Sequence, residues 1–285
     1  MARRLVNARR DGFLLSCQAD GQQLNPDIIF IHGMWSRHTV WRDWEIFFRA
    51  RGLNCLMLDL PGHVEHGSDT SLARVALNSY VDAVVKAADG KKRPVLIGHS
   101  LGGLIGQLAA QHLDLAGLIL INSAAPAQIF PMRLRMLPGL FRHFCKWALW
   151  RKTFRLSAWE ADYLIFNRVP QGERAGYRKL LIAESGKVAY EVGFGVLNLA
   201  RTNRVQKEQI GCPMLALAGG KDRIIPRSVS RRMSRWYGNQ LEYREYPVQG
   251  HWLLGEPGWQ GHAQQVVDWI ETLGGSQGVR ENLTP

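Results

Sequence analysis

Short apolar runs, each closed by glycine, proline or a polar turn, recur from position 27 to position 247. "DIIFIHG" at 27–33, "LNCLMLDLPG" at 53–62, "PVLIG" at 94–98, "LAGLILINS" at 115–123 and "PMLALAGG" at 213–220 are rich in Ile, Leu and Val and show no alternation with polar residues. That pattern predicts strands buried on both faces. "LEYREYP" at 241–247 alternates more and predicts an edge strand. Between the runs lie segments of helical spacing, at 41–51, 71–88, 101–112, 228–237 and 260–273. Strands that alternate with helices imply a mostly parallel, doubly wound α/β sheet covered on both faces.

The alternation fails over 126–209, where "MRLRMLPGLFRHFCKWALWRKTFRL" and the stretch after it keep a helical apolar spacing with no long buried strand. The expected organisation is a core of residues 1–125 and 210–273, a helical cap inserted at 126–209, and a frayed Gly-rich tail at 274–285.

Composition narrows the function classes. A chain of 285 residues with 46% hydrophobic residues and 10 Trp can bury one large core with an insertion, which sets disorder aside. The least polar region, 94–123, carries His99, Gln107, Gln111, His112 and Asp114, which are costly in hydrocarbon. It reads as strand, helix and strand and not as a membrane span. The early arginines of "MARRLVNARRDGFLLSCQAD" resemble an export signal, but Cys17, Gln18 and Asp20 interrupt its apolar part. Cys17, Cys55, Cys145 and Cys212 are widely spaced in apolar settings, as expected of free thiols in a reducing cytoplasm.

The net charge of +12 raises nucleic acid or an anionic membrane as a partner. The charge gathers in 133–155 and in Arg223, Arg227, Arg231, Arg232 and Arg235, without a nucleic-acid-binding signature. Trp147 and Trp150 interleave with Arg142, Lys146, Arg151 and Lys152, so an anionic membrane is a candidate peripheral partner; a solvated basic face is the plainer alternative.

The chemistry centres on Gly98-His99-Ser100-Leu101-Gly102, a G-x-S-x-G pattern between an expected strand and an expected helix. Such a turn holds a serine oxygen clear of the sheet, and the glycines let neighbouring backbone come close. A serine hydroxyl needs a base, and the base needs a carboxylate, in the order Ser, Asp or Glu, His. Asp222, after the strand "PMLALAGG", and His251, after "LEYREYP", satisfy that order, with Glu208 as the fallback acid. His112 and His262 fall at helix ends and are expected at the surface; His38, His63, His66 and His143 lack a strand end of the right order; Asp268 and Glu271 fall on an exposed helix face. Backbone amides of Leu101, opening the helix, and Met34, after His32-Gly33, are the candidate oxyanion donors. Each residue also has a bland reading, as turn serine, cap aspartate, loop histidine or strand terminator.

In order and position, "HGMWSRHTVWRDW", "LDLPGH", "GHSLGG", "GGKDRIIP" and "GHWLLGEPGW" resemble the α/β-hydrolase family, in its lipase-like and esterase-like branch with a helical cap, over about 27–273. The resemblance implies Ser100 as nucleophile, His251 as base and then acid, Asp222 as its orienter, the Met34 and Leu101 amides as oxyanion donors, and Trp35, His99 and Trp252 against the substrate. It implies no metal and no organic cofactor. One departure is visible, "LPGHVEHGSD" where relatives continue "PGHG".

The expected reaction is cleavage of carboxylic esters of small hydrophobic substrates. Thioester, lactone or carbon–carbon hydrolysis on the same residues stays open, as do a non-catalytic small-molecule receptor and a basic scaffold. The cap aromatics Phe130, Phe141, Phe144, Trp147, Trp150, Phe154, Trp159, Tyr163 and Phe166 either roof the substrate or only pack the cap.

Overall fold

A computed structural model describes residues 14–15, 27–63, 69–129, 142–143, 148–193 and 202–275. Its sheet comprises β1 (Leu14–Leu15), β2 (Asp27–Ile31), β3 (Asn54–Leu58), β4 (Val95–His99), β5 (Gly117–Ile121), β8 (Met214–Gly219) and β9 (Leu241–Tyr246), in the order β1-β3-β2-β4-β5-β8-β9. All neighbours are parallel except β1, which runs antiparallel to β3. Every residue of β4, β5 and β8 is buried, which is why these runs lack alternation, whereas β9 at the edge stays largely half-exposed.

The chain moves outward from β2 to β3, then crosses back to place β4 on the other side of β2. In open parallel sheets such a switch point opens a crevice at the carboxyl ends of the strands. Here those ends carry His32-Gly33-Met34 after β2 and Ser100 after β4, so the expected oxyanion loop and nucleophile emerge side by side.

Around the sheet lie α1 (Arg42–Arg49), α2 (Asp69–Leu72), α3 (Leu77–Ala88), α4 (Leu101–Ala109), α8 (Arg227–Tyr237) and α9 (Trp259–Gly275). The reading of one helix over 71–88 is corrected: the chain breaks between α2 and α3. The physical cause lies in the insertion, since Ser185 Oγ donates to the Val75 carbonyl at 3.0 Å and the Leu77 N–H donates to Glu191 at 2.7 Å. These bonds replace the helical ones, and Ala76 is extended.

Within 126–209 the described strands and α-helices are β6 (Thr153–Phe154), α5 (Ala158–Leu164), α6 (Gln171–Arg178), β7 (Glu184–Ser185) and α7 (Gly186–Gly193), with single 3-10 turns at Leu149–Arg151 and Lys207–Gln209. The pairing of β6 with β7 is a small antiparallel ladder that helical spacing does not reveal. Ser157 and Glu160 form a reciprocal capping box at the start of α5, and Glu160 also binds Arg142 at 2.7 Å. Phe130, Phe141, Phe144, Trp147, Arg133, Arg135, Lys146, Cys17, Cys145, His66 and residues 276–285 lie outside the described residues.

Cys55 and Cys212 are free and buried, and burial pushes their thiols up to about 12 and about 11. Among the described residues no helix is long and apolar enough to cross a membrane.

Candidate active site

Ser100 occupies a sharp turn with φ 55° and ψ −119°, a left-handed conformation that costs a non-glycine residue about 1–3 kcal/mol. The turn is bound on several sides: the Ser100 N–H donates to Ile121 at 3.0 Å, and the Ser100 carbonyl accepts from Gly103 at 3.0 Å and Ala124 at 2.9 Å. Close approach explains the flanking glycines. A Cβ on Gly98 would sit 2.3 Å from the Gly102 carbonyl oxygen, and one on Gly102 would sit 2.2 Å from that of Ile31. Ser100 keeps 8% exposure in this otherwise buried setting.

Leu101 is the first residue of α4, so its amide belongs to the helix end whose first N–H groups lack intrahelical partners. The other candidate donor is held by its neighbours. Gly33 lies against the nucleophile, since a Cβ there would be 2.9 Å from Ser100 Cβ. The Gly33 carbonyl accepts from His32 Nδ1 and from Ser36 Oγ, both at 2.9 Å. Because a peptide is planar and trans, pinning that carbonyl fixes the direction of the Met34 N–H, which points the opposite way. His32 Nε2 accepts from the Leu60 N–H at 3.2 Å, so its tautomer is determined, and burial with nearby His63 lowers the His32 ring to about 3.

Asp222 and His251 meet directly. His251 Nδ1 lies 2.7 Å from Asp222 Oδ2, and since a carboxylate only accepts, Nδ1 carries the proton and Nε2 is left to accept. The second carboxylate oxygen accepts from the Ile224 and Ile225 N–H groups at 2.7 and 2.8 Å, which fixes the carboxylate plane. Both side chains are buried.

The loop that carries His251 is tied down by residues that motif reading does not single out. The Asn122 amide donates to the carbonyls of Gly250 at 2.9 Å and His251 at 2.8 Å, and its oxygen accepts from the Gly219 N–H at 2.7 Å. Asn122 thereby joins the ends of β5, β8 and β9. Glu256 binds the backbone on both sides of the histidine, accepting from Gly250 at 2.7 Å and Trp252 at 3.0 Å, and burial raises its carboxyl above the usual range. The only sequence signals were a polar residue at the tip of an apolar run and a carboxylate five positions past a histidine.

His99 donates from Nε2 to the His251 carbonyl at 2.9 Å, and burial keeps its ring neutral, lowered to about 3. Trp35 and Trp252 sit at the seam between core and insertion. Trp35 packs edge-on against Phe154 with centroids 5.5 Å apart, and Trp252 packs against Phe166 at 5.2 Å and Tyr177 at 5.7 Å. Trp150 and Trp159 are exposed, with exposed Arg151 and Lys152 beside the former.

The competing histidines fall elsewhere. His38 pairs with Asp59, His63 with Glu184 and His143 with Glu160. The expectation that His262 lies at the surface is corrected: it is buried on α9 with its ring 4.1 Å from that of Tyr246, and burial lowers its pKa. Glu208, Asp268 and Glu271 are exposed. Among the described residues no group of three or more His, Cys, Asp or Glu is placed to hold a metal ion.

Comparison with known proteins agrees with the sheet. Residues 28–269 match the model of the alpha/beta hydrolase family. Protein ABHD8 of Homo sapiens is 27% identical over 235 residues, 78% of this chain and 49% of that protein. The chain thus spans about half the length of these curated relatives. A pyrethroid hydrolase of Sphingobium wenxiniae is 35% identical over 118 residues, 40% of this chain and 41% of that protein. Among solved structures, a pyrethroid hydrolase from Sphingobium faniae aligns with a TM-score of 0.67 at 21% identity, covering 86% of this chain and 97% of the other. A monoacylglycerol lipase from Paleococcus ferrophilus aligns with a TM-score of 0.62 at 19% identity, covering 89% and 96%. At those identities the structural likeness establishes the fold.

Proposed function

Since the chain belongs to the alpha/beta hydrolase family, we propose that it is a serine hydrolase that cleaves carboxylic esters of hydrophobic substrates through an acyl-enzyme on Ser100. The observation that carries this reading is the buried Asp222–His251 hydrogen bond, which leaves His251 Nε2 as an acceptor in the loop that His99, the neighbour of Ser100, touches.

His251 takes the Ser100 proton as the hydroxyl oxygen attacks the ester carbonyl. Charge builds on the carbonyl oxygen, and the amides of Met34 and Leu101 are the donors aimed at it; preorganised donors of this kind each contribute about 3–4 kcal/mol in the transition state. His251 then gives the proton to the leaving alcohol, and the alcohol departs. In the second half His251 activates a water, which attacks the acyl carbon and releases the acid while Ser100 regains its proton. Asp222 holds the ring in the required tautomer and stabilises the charge it carries between steps.

The described part of the insertion supplies the roof over this site. Phe154, Phe166 and Tyr177 face Trp35 and Trp252, beside the oxyanion loop and the histidine loop, which supports an apolar acyl or aryl group there. The names of similar proteins, pyrethroid hydrolase and monoacylglycerol lipase, point to the same reaction class.

Stopped-flow kinetics with p-nitrophenyl esters of graded chain length test this reading. A burst of one nitrophenolate per protein before steady turnover is expected, with an optimum chain length that measures the roofed space. Steady turnover with no burst at any chain length, and no acyl adduct by rapid-quench mass analysis, would contradict an accumulating acyl-enzyme.

A further inference from the structure

Glu184 belongs to the insertion, is fully buried, and receives four donors. Its Oε1 accepts from the Tyr80 hydroxyl at 2.9 Å and from the Ser185 N–H at 2.7 Å; its Oε2 accepts from the Trp35 N–H at 3.3 Å and lies 3.3 Å from His63 Nε2. The other nitrogen of His63 lies 3.3 Å from the Pro61 carbonyl oxygen. Both ring nitrogens of His63 therefore face acceptors, so the ring donates from both and is charged. A buried ion pair is a poor way to fasten one layer to another, because apolar packing of the same volume serves as well or better. Its presence calls for something that only a directed acceptor can do.

What the carboxylate adds is a hold on Trp35. That residue has φ 59°, a left-handed conformation that a bulky side chain does not adopt unaided. The insertion clamps it on both backbone groups: the Ile182 N–H donates to the Trp35 carbonyl at 2.7 Å, and Glu184 accepts the Trp35 N–H. The peptide between Gly33 and Met34 is fixed by His32 and Ser36, as described above; the peptide between Met34 and Trp35 is the one fixed by Glu184.

We infer that Glu184 is a positioning residue for the oxyanion loop: while His32 and Ser36 fix the peptide that carries the Met34 N–H, the hydrogen bond from the Trp35 N–H to Glu184 fixes the next peptide, so that the Met34 backbone is held from both sides. This rests on the hydrolase reading. It makes the insertion part of the catalytic geometry as well as a roof: the stabilisation of the tetrahedral intermediate depends on a carboxylate that arrives from the insertion, 149 positions along the chain from Trp35.

Glu184→Gln separates this role from general support. The amide oxygen stays with the short Ser185 bond and the Tyr80 hydroxyl, and the NH₂ donates to a now neutral His63, so the Trp35 N–H loses its acceptor while the volume is unchanged. The expected result with p-nitrophenyl esters is a kcat about tenfold lower, short of the ~10²-fold cost of deleting a donor, with KM within about twofold. Phosphonylation of Ser100 by a fluorophosphonate slows in parallel. Glu184→Asp keeps the charge for His63 but is one methylene too short to hold both Ser185 and Trp35; it covers the case in which the amide variant does not fold, and the same loss in kcat is expected. A folded variant whose kcat is unchanged, or one that changes only in KM, would overturn the positioning role while leaving the hydrolase reading in place. Absence of both turnover and labelling in the unsubstituted protein would overturn the hydrolase reading and the positioning role with it.

Discussion

His251 and Asp222 are joined through a single hydrogen bond, Nδ1 to Oδ2 at 2.7 Å, while the other oxygen of the same carboxylate is committed to the amides of Ile224 and Ile225. The two oxygens have different tasks, and that division makes the effect of one isosteric change calculable.

In Asp222→Asn the side-chain oxygen stays with Ile224 and Ile225, and the NH₂ turns toward His251. It can only donate, so His251 must accept at Nδ1 and carry its proton on Nε2. The ring then has no lone pair for Ser100. A fall in kcat of about 10³–10⁴-fold with KM little changed is expected, measured with any ester the unsubstituted protein turns over. A loss below about tenfold would show that the tautomer does not matter.

Backbone packing at the turn gives a second expectation. In Gly102→Ala the new Cβ would lie 2.2 Å from the Ile31 carbonyl oxygen, at the end of the central strand β2, and 2.5 Å from that of His32, the residue that follows it, and this packed backbone cannot give way. Destabilisation above about 4 kcal/mol, or no folded protein, is expected from urea unfolding. Gly176→Ala, within α6 and with nothing within 4 Å of the added carbon, is expected to raise stability by about 0.5–1 kcal/mol. Similar outcomes for the two variants would contradict the close approach of α4 to β2.

Stability should fall as pH drops from 7 to 5.5, before most carboxylates titrate. His32 and His99 are held neutral in the folded chain, near 3, and take up protons near 6.5 when unfolded. The unfolded chain therefore binds more protons, and each group's contribution, present above 6.5, is lost as pH falls, at up to about 1.4 kcal/mol per unit. His262 acts in the same direction, more weakly because it is less enclosed. His63, raised by Glu184 against the opposing effect of burial, has the reverse sign: its contribution is full below 6.5 and is lost as pH rises through its folded value. With His32, His99 and His262 opposed by His63, a net loss of roughly 1–2 kcal/mol is expected from urea melts at the two pH values. A gain on acidification would mean that the His63–Glu184 pair dominates.

The sheet was legible because β4, β5 and β8 are buried on both faces and so wrote unbroken apolar runs, and because Ser100 sits in a turn whose glycines are required by packing. Asp222 follows the buried run of β8, and His251 follows the shorter, more alternating run of the edge strand β9, which is what singled the two out in the chain. Asn122, Glu256 and Glu184 were not legible, since their partners are mostly backbone groups, whose positions no side-chain pattern records. The break between α2 and α3 was hidden for the same reason: Ser185 and Glu191, more than a hundred positions on, take over the bonds of a helix that the local sequence would continue.

Activation of Ser100 as a nucleophile is tested most directly by intact-mass analysis after treatment with a fluorophosphonate. The unsubstituted protein is expected to gain a single adduct, mapped to the peptide containing Ser100, and Ser100→Ala to gain none while retaining the native circular dichroism spectrum. An adduct that persists in the alanine variant, or a native protein that stays unlabelled while ester turnover proceeds, would contradict the account.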